Sequence, residues 1–233
     1  MADKLGTGPG PKTAPTTRKV AKLRTRERLL EAARRILLDE GEEAISAIAL
    51  ARAAGLANAT FYEHFASKDD LLRTLAGELF SSLRAELQEP RREAIEAPTS
   101  EEKLRRQFRV PLEVLAANPQ LFRLALRVRH QPTSALVESS LHLSGSTRRD
   151  LVRELKDRRY PSSTPLDRRR LEMIADIEIA AVEALAQGYI SGRYTELEEL
   201  VDMLVLVTRG TRLVREMAER SAADEPRVSD ASN

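Results

Sequence analysis

An all-α protein is what this sequence predicts: a small N-terminal three-helix unit followed by a larger helical body. Three observations carry that expectation. Leu, Ala, Glu and Arg dominate a 233-residue chain that is 42% hydrophobic and 32% charged, a composition of good helix formers. Strand-type runs of Val, Ile, Thr and aromatics are nearly absent, and there is no Trp. Apolar residues recur at spacings of three and four, the period of a helix with one buried face.

Taken in order, helix one is expected over about 25–40. Thr25 is a suitable cap, although Arg28 stands where a capping box would place Glu. Leu29, Leu30, Ala33, Ile36 and Leu37 form its apolar stripe, and Gly41 ends it. Helix two follows Ser46 with Ile48, Leu50, Ala51 and Ala54, and stops at Gly55. Helix three runs from about Asn58 to His64. Ser67 caps helix four, with Asp69 and Asp70 in a first turn whose dipole favours carboxylates, and Leu71 to Leu87 carries it to Pro90. Residues 89–100 read as a connection. Helix five starts at Ser100 and ends near Asn118-Pro119, with Pro111 expected to kink or break it. Helix six covers about 119–130. Helix seven lies within 132–159 and is expected to break at Ser144-Gly145. Helix eight runs from about Leu166 to Ile190, and helix nine from about Thr195 to Arg220.

Charge is uneven. The chain carries net +2, yet residues 1–30 hold Lys4, Lys12, Arg18, Lys19, Lys22, Arg24, Arg26 and Arg28 against Asp3 and Glu27, a local +6. A basic arm on a net acidic remainder suits a polyanion. Cysteine is absent, which excludes disulfides and thiolate metal sites and points to a cytosolic home. No stretch of about 18 apolar residues suggests a membrane span, and the N-terminus lacks the apolar core of a secretion signal. The expected organisation is a disordered basic arm (1–20), a three-helix unit (21–68), a larger helical body (69–220) and a disordered tail (221–233).

The most informative stretch is LARAAGLANATFYEHF, residues 50–65. Two short helical pieces meet at Gly55, and Phe61, Tyr62 and Phe65 hold a third of the chain's nine aromatics. Ala51 and Ala54 let the helices cross closely. Phe61 and Phe65, at i and i+4, plug a small core and leave Asn58, Thr60, Tyr62 and Glu63 outside. A preceding helix, a tight glycine turn and a polar outer face form the helix-turn-helix arrangement, whose second helix enters the DNA major groove.

TRERLLEAARRILLDEG and ARAAGLANATFYEHFASKDDLL together resemble the DNA-binding domain of TetR-family bacterial transcriptional regulators, over about residues 25–75. The resemblance implies a cytoplasmic homodimer, probing duplex operator DNA with an N-terminal head and holding a ligand in a helical core, typically as a repressor. It implies that Asn58, Ala59 and Thr60 face bases, that Tyr62, His64 and Lys68 meet phosphates, and that Ser46 caps helix two near a phosphate. Arg24, in the basic arm, joins these as a DNA contact. Two positions depart from the family pattern: Ile48 stands where Arg is frequent and Ala49 where an acid is frequent. Their apolar character weakens the phosphate grip of helix two, and Arg18 to Arg28 compensates in this reading.

In the body, helix nine is apolar all round at Met203 to Val207, so two of its faces should be covered. Ala180, Ala181, Ala184 and Gly188 permit close approach along helix eight. A homodimer through helices eight and nine, forming a four-helix bundle, follows. NPQLFRLALRVRHQPTSALV is similar to a stretch of the TetR-family repressors that control unsaturated fatty-acid synthesis and desaturation, which implies a long-chain acyl-CoA or fatty-acid ligand. The expected tunnel lies among helices five to eight, lined by Phe108, Leu112, Leu115, Phe122, Leu126, Leu136, Leu141, Met173 and Ile177, with Arg127, Arg129 or His130 pairing with coenzyme phosphates. Alternatives are a drug- or small-metabolite-responsive efflux regulator, and a helical lipid-carrier or interaction protein without DNA contact. No Gly-rich phosphate loop, metal-ligand spacing or nucleophile elbow is present, so neither an enzyme, nor a cofactor, nor a metal centre is expected.

Overall fold

A computed structural model describes residues 17–93, 100–157 and 160–224, with side chains over 18–88, 101–157 and 160–210. Most of the basic arm (1–16) and the end of the tail (225–233) therefore lie outside the described residues. Every regular element among those described is helical: α1 (Thr17–Asp39), a single 3-10 turn (Glu42–Ala44), α2 (Ala47–Ala54), α3 (Asn58–Tyr62), α4 (Lys68–Glu93), α5 (Ser100–Ala117), α6 (Pro119–Val128), α7 (Val137–Asp157), α8 (Pro165–Ile190) and α9 (Leu197–Asp224). Two compact units divide between Leu75 and Ala76.

In the first unit α1 packs on α2, and α2 on α3. Leu29, Leu30, Ala33, Ile36 and Leu37 are all buried, as their spacing requires. α1 starts two turns earlier than expected. Thr25 does not cap it: its hydroxyl donates to the Ala21 carbonyl one turn back, inside a helix that already contains Arg18 to Arg24. The run TRKVAKLR has no glycine or proline to stop a helix, so the basic stretch propagates from the first turn of α1. Ser67 caps α4 at the Asp70 amide (3.1 Å), and Asp70 accepts from the Ala66 amide just ahead of the cap (3.0 Å), so side chains hold both ends of the turn. Leu71, Leu72 and Leu75 are fully buried. The start of α4 packs with the first compact unit, which runs to Leu75.

In the second unit α5 packs against both α8 and α9, and α7 lies on α8. Pro111 sits inside a continuous α5, and Ser144-Gly145 inside a continuous α7. Neither interrupts its helix. At Pro111 the cost is one missing N–H opposite the Gln107 carbonyl. Thr164 and Asp167 form a reciprocal capping box ahead of Pro165, which fixes where α8 begins. Leu151, Leu155, Tyr160, Leu171 and Ala175 close a small core between α7 and α8. Gly188 is buried at the end of α8. A Cβ there would lie 2.4 Å from the Tyr194 ring, so the absent side chain is what lets the α8–α9 turn fold back.

Candidate nucleic-acid interface and ligand cavity

The reading head is built from the inside out. Gly55 adopts the left-handed conformation (φ 63°, ψ 43°), which costs any other residue about 1–2 kcal/mol, and α2 ends there. Arg28 of α1 donates to the Ala54 carbonyl (2.5 Å) and reaches that of Gly55 (3.4 Å), tying the turn to the preceding helix. The sequence reading left this role of Arg28 unassigned; a cation one helix before a glycine turn is a weak signal. Phe61 is 1% exposed and Phe65 2%, with ring centroids 6.0 Å apart. Arg26 lies over Phe65 at 4.8 Å.

On the outside, Asn58, Ala59, Tyr62 and Glu63 are exposed and Thr60 is half-buried. Tyr62 is 65% exposed although its ring edge rests on Phe61, 5.1 Å between centroids. Ser46 accepts from the Ala49 amide (3.1 Å) and caps α2. Ile48 is exposed beside it. Arg24 is exposed. His64 is half-buried with its Nδ1 enclosed and without a partner among the described residues, which leaves Nε2 for an outside acceptor. Lys68 is half-buried, and its ammonium donates to the Glu42 carbonyl (3.0 Å) and braces the 3-10 turn. Arg18, Lys19, Lys22 and Arg26 fall within about 100° of the α1 circumference, and the first three are exposed.

The second unit holds an apolar cavity. Leu83 and Leu87 of α4, Phe108, Pro111 and Leu115 of α5, and Phe122 and Ala125 of α6 form one side. Leu143 and Leu151 of α7 with Ile179 and Val182 of α8 form the other. Room for the centres of water-sized molecules is about 80 Å³, several times the ~10–15 Å³ one water needs. The wall includes a polar cluster of Gln107, Arg129, Glu178 and Glu183, with Ser144 and Thr147. Arg129 is bidentate on Glu183, Nη1 to Oε2 at 3.1 Å and Nη2 to Oε1 at 2.8 Å. Gln107 donates to Glu178 Oε2 at 3.1 Å. Gln107 Oε1 and Arg129 Nε are buried without partners among the described residues, and an unsatisfied buried polar atom costs about 1–3 kcal/mol.

Of the expected ligand contacts, Phe108, Leu115, Phe122 and Arg129 line this cavity. Leu112 and Leu136 are fully buried and Leu126 half-buried, but none of the three is in the wall. Leu141, Met173 and Ile177 are more than half exposed. The helical phase explains this: Glu178, Ile179 and Val182 turn one face of α8 inward and carry Met173 and Ile177 to the opposite side. Arg127 and His130 are exposed away from the cavity, and both terminal nitrogens of Arg129 are engaged by Glu183, so no cluster for coenzyme phosphates assembles at this wall. Glu178 and Glu183 escaped the sequence reading. The detectable signal was two acids inside the otherwise apolar run IEIAAVEALA.

Met173, Ile177, Ala180 and Ala184 recur on one exposed face of α8, and Met203, Leu206 and Val207 are exposed on its neighbour α9. Among the described residues no three His, Cys, Asp or Glu side chains group as a metal site, and no helix is long and apolar enough to cross a membrane.

These features define an all-helical protein with a helix-turn-helix head and a cavity-bearing helical body. Residues 29–75 match the model of the bacterial regulatory proteins of the tetR family, so the head is of the tetR type. No curated protein matches the chain. Among solved structures, a Pseudomonas aeruginosa PAO1 protein assigned as a transcriptional regulator is 19% identical, covering 80% of this chain and 89% of that one, with TM-score 0.63. A transcriptional regulator from Rhodococcus sp. Rha1 is 22% identical, with 78% and 94% coverage and TM-score 0.59. The fatty acid degradation regulator of Bacillus halodurans is 19% identical, with 84% and 97% coverage and TM-score 0.56. At these identities the likeness is one of fold.

Proposed function

We propose that this chain is a homodimeric transcription regulator that binds duplex operator DNA through α3 and is gated by a small ligand in its helical body. The observation that carries the reading is the two-sided α3: Phe61 and Phe65 lock one side into the head while Asn58, Ala59 and Tyr62 stand free on the other. The Asn58 amide and the Tyr62 hydroxyl suit base edges and phosphates, and the Ala59 methyl suits a thymine methyl. Exposed Arg18, Lys19, Lys22 and Arg24 on the extended α1 add a charge-driven contact. Repression is the direction of control in this reading.

A second copy covers the apolar stripe on α8 and α9 in this reading, placing two α3 helices about 34 Å apart or at a matched multiple on one DNA face. α4 runs from Leu71 and Leu75 in the head to Leu83 and Leu87 in the cavity wall, which makes it the element through which ligand biases DNA affinity. Inverting a two-state equilibrium from 1:99 to 99:1 requires roughly 5.5 kcal/mol of differential binding. Of the two expected ligand classes, a fatty-acid regulator among the relatives favours a long acyl chain or its coenzyme ester. The limited room and the engaged Arg129 favour the compact metabolite, and that is the class we adopt.

Fluorescence anisotropy with labelled fragments from upstream of the gene tests the central reading. Specific binding with a steep salt dependence is expected, and a folded sample that ignores every fragment at 50 mM salt overturns it. Light scattering tests the dimer, with Ile177→Glu expected to give monomers. Native mass spectrometry of the purified protein identifies the bound small molecule; a long acyl chain there would restore the other class.

A further inference from the structure

Residues 148–170, the second half of α7 and the start of α8, hold nine cations against four acids, a local +5. The whole chain is only +2, so positive charge is gathered here rather than spread over the body. Arg149, Arg153 and Lys156 recur at i, i+4 and i+7, one face of α7, and all three are exposed. With Arg148, Val152 and Glu172 they line a groove against α8, with about 310 Å³ of room for the centres of water-sized molecules. Little neutralises the stripe. Arg149 and Lys156 have no hydrogen-bond or ion-pair partner among the described residues. Arg153 reaches Asp150 at 3.3 Å with its side chain 71% exposed, and Asp150 already accepts from Arg84 at 3.0 Å and Gln88 at 2.8 Å. Glu172 stands on the opposite bank and pairs with none of the facing cations. Arg148 is matched by Asp176, at 2.5 Å.

We infer that this groove binds a linear polyphosphate group, the diphosphate or triphosphate end of a small molecule. Arg149 and Lys156 lie about 10.5 Å apart along the helix axis, a span that linked phosphates bridge and a single phosphate does not. Arginine forks meet phosphate oxygens in pairs, and lysine adds a point charge. Each exposed ion pair is weak alone, so a ligand has to engage several cations at once, which selects high charge along a chain. Glu172 faces the bound phosphates and disfavours a bare polyanion; a hydroxyl or amine on the carrying molecule satisfies it. A duplex backbone is the lesser fit, because Glu172 and, one turn on, Asp176 are exposed on the α8 bank opposite the stripe. The inference stands on the surface chemistry of the body and is independent of the regulator reading.

Calorimetric titration of the full-length protein at pH 7.5 with orthophosphate, pyrophosphate and tripolyphosphate tests it. Affinity should climb along the series, tripolyphosphate binding about tenfold more tightly than orthophosphate, and should fall as salt rises from 50 to 200 mM. Arg149→Ala with Lys156→Ala should lower tripolyphosphate affinity about tenfold, the worth of two exposed pairs, while a circular dichroism melt checks the fold; the chain-length series stands without the variant. Lys19→Ala with Lys22→Ala, on the other basic region, should leave that affinity within about twofold. Glu172→Gln should raise it about twofold to threefold, which locates the anion in this groove. No binding, equal affinity for the three phosphates, or indifference to Arg149 and Lys156 or to Glu172 overturns the inference, as does a loss that follows Lys19 and Lys22 instead. Anisotropy on the same variants separates a second source of phosphate. If the Arg149 and Lys156 pair flattens the salt dependence of duplex binding and leaves tripolyphosphate untouched, the stripe is a nucleic-acid contact and the inference falls. Tripolyphosphate binding without DNA binding sinks the regulator reading alone.

Discussion

The outer face of α3 and the polar wall of the cavity are both small sets of presented side chains, but they are assembled differently. Asn58, Ala59, Thr60 and Tyr62 come from one five-residue helix. Gln107, Arg129, Glu178 and Glu183 come from separate stretches along the chain and meet only when α5 and the end of α6 pack with α8. The first set is a product of local periodicity. The second exists only in the tertiary structure. Local sets can be read from spacing, whereas assembled sets depend on the rotation of each helix, where about 100° per residue separates a wall from a surface.

The sharpest way to break this comparison lies within α3. Phe61→Ala should cost about 3–5 kcal/mol, enough to unfold a small head, whereas Tyr62→Ala should leave stability within about 0.5 kcal/mol and weaken DNA binding about tenfold. Denaturant titration and anisotropy measure the two. If Phe61→Ala melts like the parent, the aromatic cluster is not the core of the head. If Tyr62→Ala binds DNA unchanged, α3 does not present Tyr62 to the duplex.

What was legible follows the same division. Nine helices were expected and nine are described, and the stripes of α1 and α3 are buried as their spacing implied. The first two turns of α1 were missed because a cap-like Thr25 outweighed a basic run with no helix breaker. In the body, Phe108, Leu115 and Phe122 reached the cavity, while Met173 and Ile177 face outward with Met203 and Leu206. An amphipathic pattern cannot say which of two apolar faces of a helix like α8 meets a cavity and which is left outside it. Glu178 and Glu183 decide it, because their pairing with Gln107 and Arg129 fixes the phase.

Gly188 sharpens the contrast with the next largest effect. Its small size resembled a helix-contact residue, yet the Tyr194 ring occupies the place of a side chain. Gly188→Ala should cost about 1–3 kcal/mol by overpacking, and pairing it with Tyr194→Ala should recover part of that loss, a coupling that a thermodynamic double-mutant cycle reads directly. Loss of dimers without loss of stability would instead return Gly188 to a subunit interface.

On the nucleic-acid side, replacing Lys19 and Lys22 with Ala should leave the melting temperature unchanged and reduce the slope of log affinity against log salt by up to about 2. Removing residues 1–22 altogether should weaken binding further in the same sense. An unaltered slope in both would mean that the basic start of α1 makes no phosphate contact, and that α3 carries the interface by itself.

The smallest expected effect concerns how α5 is held to α9. Arg109 and Arg105 both hydrogen-bond Glu198, at 2.6 and 2.9 Å, and hold its carboxyl below the ordinary value of 4.5, Arg109 contributing most. A carboxyl whose folded pKa is depressed stabilises the fold above its unfolded pKa and loses that contribution as pH falls through the folded value. Glu198 is more than half exposed, so solvent and salt screen the pair heavily. Glu198→Gln should therefore lower the melting temperature by only about 1–2 °C at pH 7. The gap should shrink in 0.5 M salt and narrow as pH falls below 4.5 and the wild-type carboxyl takes up its proton. A gap indifferent to both salt and pH would assign the role of Glu198 to packing of its side chain and not to its charge.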